Sequence, residues 1–317
     1  MTVPELAPRT LGRTGLRVTP VCVGGGPLGS MPGLFGYDVS AERGTATAVE
    51  ALRGPFNFLD TSGGYSDGDS ERRIGAAVRE LGGLPDGFVL ATKVDRDMDT
   101  GDFSGSQVRR SFEASLERLG VDRVPLLHLH DPEHISFDEG MSPGGPVEEL
   151  LKIRDEGLAQ HLGVAGGPVD LLSRYLRTGH FGALITHNRW TLVDRSADAL
   201  IEEAMGLGVG VINGAPFGGG VLAKGSTASP NYAYRPASEP VLSRIRTMEQ
   251  ACAEADVPLA AAALQFSMRD PRIASTIVGV SRPERIEQTQ RYASWDIPEE
   301  LWDRLEPLAA PRDTWLY

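Results

Sequence analysis

At 317 residues, with 41% hydrophobic and 23% charged side chains, the chain has the composition of a folded globular protein and not of a disordered one. Its 43 acidic against 31 basic residues, a net charge of −12, argue against a general nucleic-acid binder, which needs a cationic footprint, although one local arginine can still meet a nucleotide. No apolar run approaches the ~18 residues of a membrane span. The first ten residues, MTVPELAPRT, lack a charged region followed by an apolar core. Together these features predict a cytoplasmic protein with neither nucleic acid nor membrane as a partner.

In chain order, residues 4–17, centred on Leu11-Gly12-Arg13-Thr14-Gly15, predict a small hairpin. Short runs rich in β-formers follow at 18–23, 57–60, 88–94, 125–130, 161–164, 183–187, 210–213 and 275–278. Each is apolar on both faces and followed by Gly, Pro, Asp or Ser, which suits parallel strands covered by helices. Helical stretches alternate with them at 41–52, 71–81, 104–119, 146–156, 171–178, 197–207, 241–255 and 283–292. Within 106–119, Val108, Phe112, Leu116 and Leu119 recur at helical spacing, so Arg109, Arg110, Glu113, Glu117 and Arg118 are expected to face water. This alternation has no composition break and predicts an α/β fold: one (β/α)8 TIM-barrel domain over residues 1–317. An open doubly wound sheet would want GxGxxG after the first strand, and Val23–Gly29 reads VGGGPLG instead. Three long connections, 24–40, 131–145 and 216–240, all follow strands and so gather at the C-terminal face of the barrel, where active sites are built.

Polar residues cluster at those strand ends. Asp60 closes the second strand, Tyr65 follows in the loop Thr61-Ser62-Gly63-Gly64, Lys93 closes the third strand and His130 the fourth. A tyrosine hydroxyl has an ordinary pKa near ~10 and is a poor acid at neutrality. A nearby ammonium should lower that value, an aspartate can hold the ammonium, and a histidine can position a carbonyl. The set suits proton transfer coupled to a step at carbon. Taken singly, the Asp also suits a helix cap and the Tyr loop packing, but a Lys ending an apolar strand is costly to bury without a partner. His128 alternates with His130 and is expected on the opposite side, against the helices. Cys22 and Cys252 lie far apart in apolar stretches and read as buried free thiols in a reducing compartment. No Cys/His cluster has metal-ligand spacing, so no metal is expected.

The strings LGRTGLRVTPVCVGGG, FLDTSGGYSDGDSERRIG, VLATKV, VDRVPLLHLHDPE, HNRWTLVDR and IVGVSRPERIEQT, from Leu11 to Thr289, resemble the successive signatures of the aldo-keto reductases. More narrowly, they resemble the branch with D-threo-aldose (L-fucose) 1-dehydrogenases and pyridoxal 4-dehydrogenases. The resemblance implies a catalytic tetrad of Asp60, Tyr65, Lys93 and His130. It also implies hydride transfer at a nicotinamide, with Tyr65 giving or taking the proton and the cofactor carrying the redox chemistry.

Departures from the family pattern concern the cofactor cradle. Ala165-Gly166-Gly167 stands where a Ser-Asn pair is usual, and His187 or Asn188 is the expected replacement contact to the carboxamide. Gly214 takes the place of the stacking aromatic, with Phe217 as a substitute. Gly279 stands where NADP-specific members carry a cation, a contact worth ~1.5–3 kcal/mol. Ser281, Arg282, Arg285, Gln288 and Thr289 then fall where the family holds the adenosine. NAD, or use of both NAD and NADP, is expected. Met31, Phe35 and Tyr37 after the first strand, His134 and Phe137 after the fourth, and Trp315 with Tyr317 at the tail are expected to line a pocket for a small polar carbonyl or sugar. The reading is an aldose or pyridoxal dehydrogenase-like enzyme, with a general aldehyde or ketone reductase, including one tailoring a natural product, as the alternative. A non-catalytic redox-sensing barrel is the competing class, and an intact tetrad speaks against it.

Overall fold

A computed structural model describes residues 6–317. Eight parallel strands close into a barrel: β1 (Val21–Gly24), β2 (Phe58–Asp60), β3 (Val89–Val94), β4 (Val124–His130), β5 (Ala159–Gly166), β6 (Ala183–His187), β7 (Gly210–Gly214) and β8 (Ile273–Gly279). The ring closes by β8 pairing with β1, Thr276 opposite Val21 and Gly279 opposite Gly24. The expected TIM barrel is therefore the observed one. The outer layer comprises α1 (Ala41–Arg53), α2 (Asp69–Leu81), α3 (Gly105–Leu119), α4 (Pro146–Asp155), α5 (Val169–Arg177), α6 (Asp198–Gly206), α7 (Glu239–Glu254), α8 (Leu259–Arg269), α9 (Glu284–Ala293) and α10 (Glu299–Leu305). No helix among the described residues is long and apolar enough to cross a membrane.

Local chemistry sets the helix ends. Ser40 and Ser104 accept the backbone N–H groups of Arg43 and Gln107, capping α1 and α3. Gly82 and Gly120 end α2 and α3 in the left-handed conformation. Between strands and helices lies an extended apolar layer, in which Phe112 and Val108 of α3 meet Leu127 and Leu129 of β4. Inside the barrel a smaller cluster joins Cys22, Phe58, Ala91, Leu126, Ala165 and Ile212. The N-terminal hairpin, Arg9–Thr10 with Arg17–Val18, plugs the bottom, where Leu11 packs into that interior cluster. Gly12 has φ +47° there, and a Cβ on it would lie 2.2 Å from the Gly210 nitrogen. The expected start of this hairpin at residue 4 lies outside the described residues. Cys22 and Cys252 are buried free thiols.

Several boundaries and one orientation differ from expectation. Val18 pairs with Arg9 in the hairpin, and the first barrel strand begins only at Val21, after Pro20. Helices α8 and α10 lie outside the expected set: α10 is only seven residues long, and α8 shows no clear apolar stripe. Seven residues of the LAAAALQFSMR segment of α8 are buried, so its apolar residues surround the helix instead of forming a stripe. The three long connections hold single helical turns at Pro32–Phe35, Phe137–Gly140 and Val221–Lys224, and a small hairpin, Asn231–Tyr232 with Arg235–Pro236. Arg109 and Arg118 do not simply face water: Arg109 pairs with Glu149 and Glu156, and Arg118 with buried Glu71. His128 does not face the helices. Residues two apart on a strand share a face, and His128 lies opposite Lys93 in register, inside the barrel with His130. It is fully buried, and a Cβ at Gly163 would come within 2.3 Å of its Nδ1.

Candidate active site

At the C-terminal mouth, β2 and β3 bring Asp60 and Lys93 side by side. Both are 2% exposed, and Lys93 Nζ donates to Asp60 Oδ2 at 2.6 Å, to the Thr61 carbonyl at 2.7 Å and to Tyr65 Oη at 3.2 Å. Burial alone would push the ammonium down, but the Asp60 carboxylate together with the Tyr65 oxygen more than offsets burial and holds Lys93 above the usual lysine range. Burial lifts the Asp60 carboxyl, with Lys93 opposing. Burial also lifts the Tyr65 phenol, and Lys93 offsets only part of that, so the expected net lowering of Tyr65 is reversed. In this state Tyr65 is firmly a phenol, with a cation at its oxygen ready to meet the charge left when the proton departs.

His130 completes the group. Its ring stands edge-on to Tyr65, with centroids 5.7 Å apart and planes at 85°. Nδ1 lies 2.5 Å from Asp95 Oδ1 and 3.1 Å from Ser62 Oγ. Ser62 Oγ and the Gly64 N–H both donate to Asp95 Oδ2, at 2.5 and 2.8 Å. Burial would depress His130, but Asp95, joined by Asp131, more than offsets it, and the imidazole is held above the ordinary histidine range. Next to Nε2 stands the half-exposed Asp131 carboxylate, 3.8 Å away. Behind β3, Glu71 accepts from Thr92 Oγ1 at 2.5 Å and from Arg118 Nε at 2.7 Å, tying α2, α3 and the strand together.

Asp95 and Ser62 were absent from the sequence reading, although a signal for them existed. Each stands two residues beyond a recognised residue, Lys93 and Asp60, and alternation puts it on the same side. Asp95 also accounts for one glycine of this loop, since a Cβ at Gly64 would lie 2.9 Å from its Oδ1; at Gly63 the crowding atom is Arg118 Nη2, also at 2.9 Å.

The other expected residues divide. His187 and Asn188 close β6, and the Asn188 N–H donates to the carbonyl of Gly214 at the end of β7. Burial pushes His187 down to about 4, so it is neutral. Asn188, φ +59°, donates from Nδ2 to His187 Nδ1 at 3.1 Å, while its buried Oδ1 has no partner among the described residues. Gly279 is exposed at the end of β8, in register with buried Gly24 of β1, and the Pro27 ring lies beside it, 3.1 Å from where a Cβ would stand. Beyond it Arg285 bonds Gln288, whose Nε2 donates to Tyr292 Oη at 2.9 Å; Arg282 is exposed, Ser281 half-buried and Thr289 buried. An orphan acceptor at depth, an exposed strand-end glycine at Gly279 and an arginine at a helix start fit a nicotinamide dinucleotide: an amide N–H for the first, close backbone approach for the second, a phosphate for the third. Phe217 packs into the outer apolar layer on both of its sides, which ties its ring to the core. Phe35 and Tyr37 stack at 6.1 Å, Tyr234 meets Phe35 edge-on at 6.2 Å, and Phe35 and Tyr65 both flank Gly26. Met31 begins the helical turn that carries Phe35. Trp315 stands apart from that group, its indole N–H bonded to the Ala310 carbonyl and its ring against the cluster of Leu301 and Trp302.

Residues 20–310 match the Aldo/keto reductase family. The chain belongs to this family. L-galactose dehydrogenase of Arabidopsis thaliana is 33% identical over 291 residues, covering 91% of this chain and 88% of that protein. D-threo-aldose 1-dehydrogenase of a Pseudomonas species is 29% identical over 293 residues, 84% and 88% of the two chains. The holo form of an aldo-keto reductase from Bacillus halodurans shares the fold, with a TM-score of 0.78 at 21% identity over 97% of both chains. This member of the family is thus an NAD(P)-dependent oxidoreductase.

Proposed function

We propose that the enzyme moves hydride between a nicotinamide and a small polar carbonyl or hemiacetal of the aldose type, with Tyr65 as proton donor and acceptor. The observation that carries the reading is the Tyr65 hydroxyl 3.2 Å from Lys93 Nζ, itself 2.6 Å from Asp60. When bound, the dinucleotide supplies or accepts the hydride. The rest falls to the chain's own residues. Tyr65 holds a proton at Oη, Lys93 stabilises the phenolate formed as that proton reaches the substrate oxygen, and Asp60 keeps Lys93 charged and in place. His130 orients that oxygen. The carboxamide would lie against Asn188 and His187 beside Gly214, with Phe217 at the margin. Gly279, Ser281, Arg282, Arg285, Gln288 and Thr289 would take the adenosine end. Gly279 brings no cation to a 2′-phosphate, which favours NAD or use of both cofactors.

The half-exposed Asp131 near His130, and Glu133, which accepts the Gly167 N–H at 3.1 Å, are acceptors suited to sugar hydroxyls. Names of two relatives, L-galactose dehydrogenase and D-threo-aldose 1-dehydrogenase, support the same class. Phe35 and Tyr37, with Met31, would form the apolar side of the pocket.

The test is oxidation of L-galactose, L-fucose, D-arabinose and pyridoxal with NAD and NADP, using wild type and Tyr65→Phe. We expect turnover of at least one of these substrates, lowered on the order of 10²-fold or more in the variant. Unchanged turnover in Tyr65→Phe would refute its role. Reduction of simple aldehydes with no response to any of these substrates would favour a general reductase instead.

A further inference from the structure

Among the described residues, a buried carboxylate without a lysine or arginine partner stands at the base of His130. Asp95 is 8% exposed, and its partners are His130 Nδ1 on one oxygen, Ser62 Oγ and the Gly64 N–H on the other. Its own N–H donates to Ser111 Oγ of α3 at 3.0 Å, fixing the backbone. Neutral donors satisfy the geometry of one oxygen, but an anion out of water needs a counter-charge, and His130 is the group placed to supply it. A carboxylate on one ring nitrogen also fixes the tautomer, because Nδ1 must carry a proton to meet an acceptor at 2.5 Å.

We propose that Asp95 is a positioning residue that binds His130 through Nδ1–H and keeps it an imidazolium, so that Nε2 presents an N–H to the substrate oxygen. The proposal rests on the reading above, in which that oxygen sits between Tyr65 and His130. Tyr65 then transfers the proton while His130 stabilises the developing alkoxide with a charged hydrogen bond. When His130 loses its proton, Asp95 retains the one on Nδ1 and Nε2 becomes an acceptor. The donor is then lost, and carbonyl reduction should fall on the alkaline side.

Charged groups face His130 from several elements. Asp95 beyond β3 and Asp131 beyond β4 favour its charged form, Lys93 on β3 disfavours it, and Asp60 on β2 is paired with Lys93. His187 on β6 is neutral, and the Tyr65 ring stands perpendicular to the imidazole. Asp95 is the nearest of the charged groups and the one in direct contact through hydrogen bonding.

The test is a pH titration of the six histidines by 15N NMR, with His130 assigned through His130→Gln, in wild type, Asp95→Asn and Ser62→Ala. Wild type should hold His130 charged to higher pH than an exposed histidine. Asp95→Asn should move the transition to lower pH and cut kcat for reduction by about tenfold or more, with the alkaline fall in rate beginning earlier. Ser62→Ala, which keeps the carboxylate, should retain the elevated transition, and unchanged circular dichroism would show that both variants fold. A His130 transition at the same pH in wild type and Asp95→Asn overturns the proposal. Because the titration is read without substrate, it stands or falls separately from turnover. A shifted transition without any turnover would sink the functional reading and leave the Asp95–His130 pairing intact.

Discussion

Lys93→Met isolates the ion pair on which the site is built. The side chain keeps its length and loses its charge, so the change falls on Asp60. Among the described residues Asp60 Oδ2 is bonded by Lys93 and Oδ1 has no partner, so the variant leaves a buried carboxylate with neither oxygen satisfied. Breaking a buried pair from one side costs about 3–5 kcal/mol. The lost bond from Nζ to the Thr61 carbonyl falls within that range. The penalty has a pH signature. Burial already raises Asp60 in the folded state, and without the lysine that rise is opposed only by the weaker influence of His130, whereas the unfolded value stays ordinary. A raised folded carboxyl adds no penalty at pH below the unfolded value, where both states are protonated, and a growing one as pH climbs towards the folded value. Urea unfolding followed by tryptophan fluorescence should therefore show the largest loss near pH 8 and a smaller one near pH 5. Adding Asp60→Asn should recover most of it, because the stranded charge is gone. A loss under about 1 kcal/mol at pH 8, or a double variant no more stable than Lys93→Met, would refute the buried-pair argument.

Two further changes probe the barrel and the cofactor end. Gly163→Ala drives a methyl group to within 2.3 Å of His128 Nδ1 inside the barrel, and overpacking there should cost about 1–3 kcal/mol, seen as a lowered Tm. A Tm equal to wild type would show that His128 has room to move. Gly279→Arg should tighten NADPH relative to NADH by about 1.5–3 kcal/mol, roughly 10- to 150-fold, measured by quenching of intrinsic fluorescence. An unchanged ratio would remove Gly279 from the 2′-phosphate position.

The alternation of short two-sided apolar runs with amphipathic stretches was enough to predict a closed barrel, because each signal is local in the chain. The placement of Asp60, Lys93 and His130 was legible for the same reason: each ends a strand, and in this architecture strand ends converge. Helix α8 was not legible, since a helix buried on most sides has no stripe for periodicity to detect. The face of His128 was decidable from alternation alone and was misassigned; the register beside Lys93 corrects it.

Relations between distant segments are a different matter. The sequence by itself determined that a tyrosine, a lysine, an aspartate and a histidine lie near one mouth. Tertiary structure alone decided that burial overrides Lys93 at the Tyr65 phenol, that Asp95 meets His130 across 35 positions of chain, and that the Asn188 side-chain oxygen has no partner among the described residues. The physical reason is that side-chain chemistry and strand order are written residue by residue. Desolvation and hydrogen-bond partnership instead depend on everything that packs around a group, and most of that comes from elsewhere in the chain.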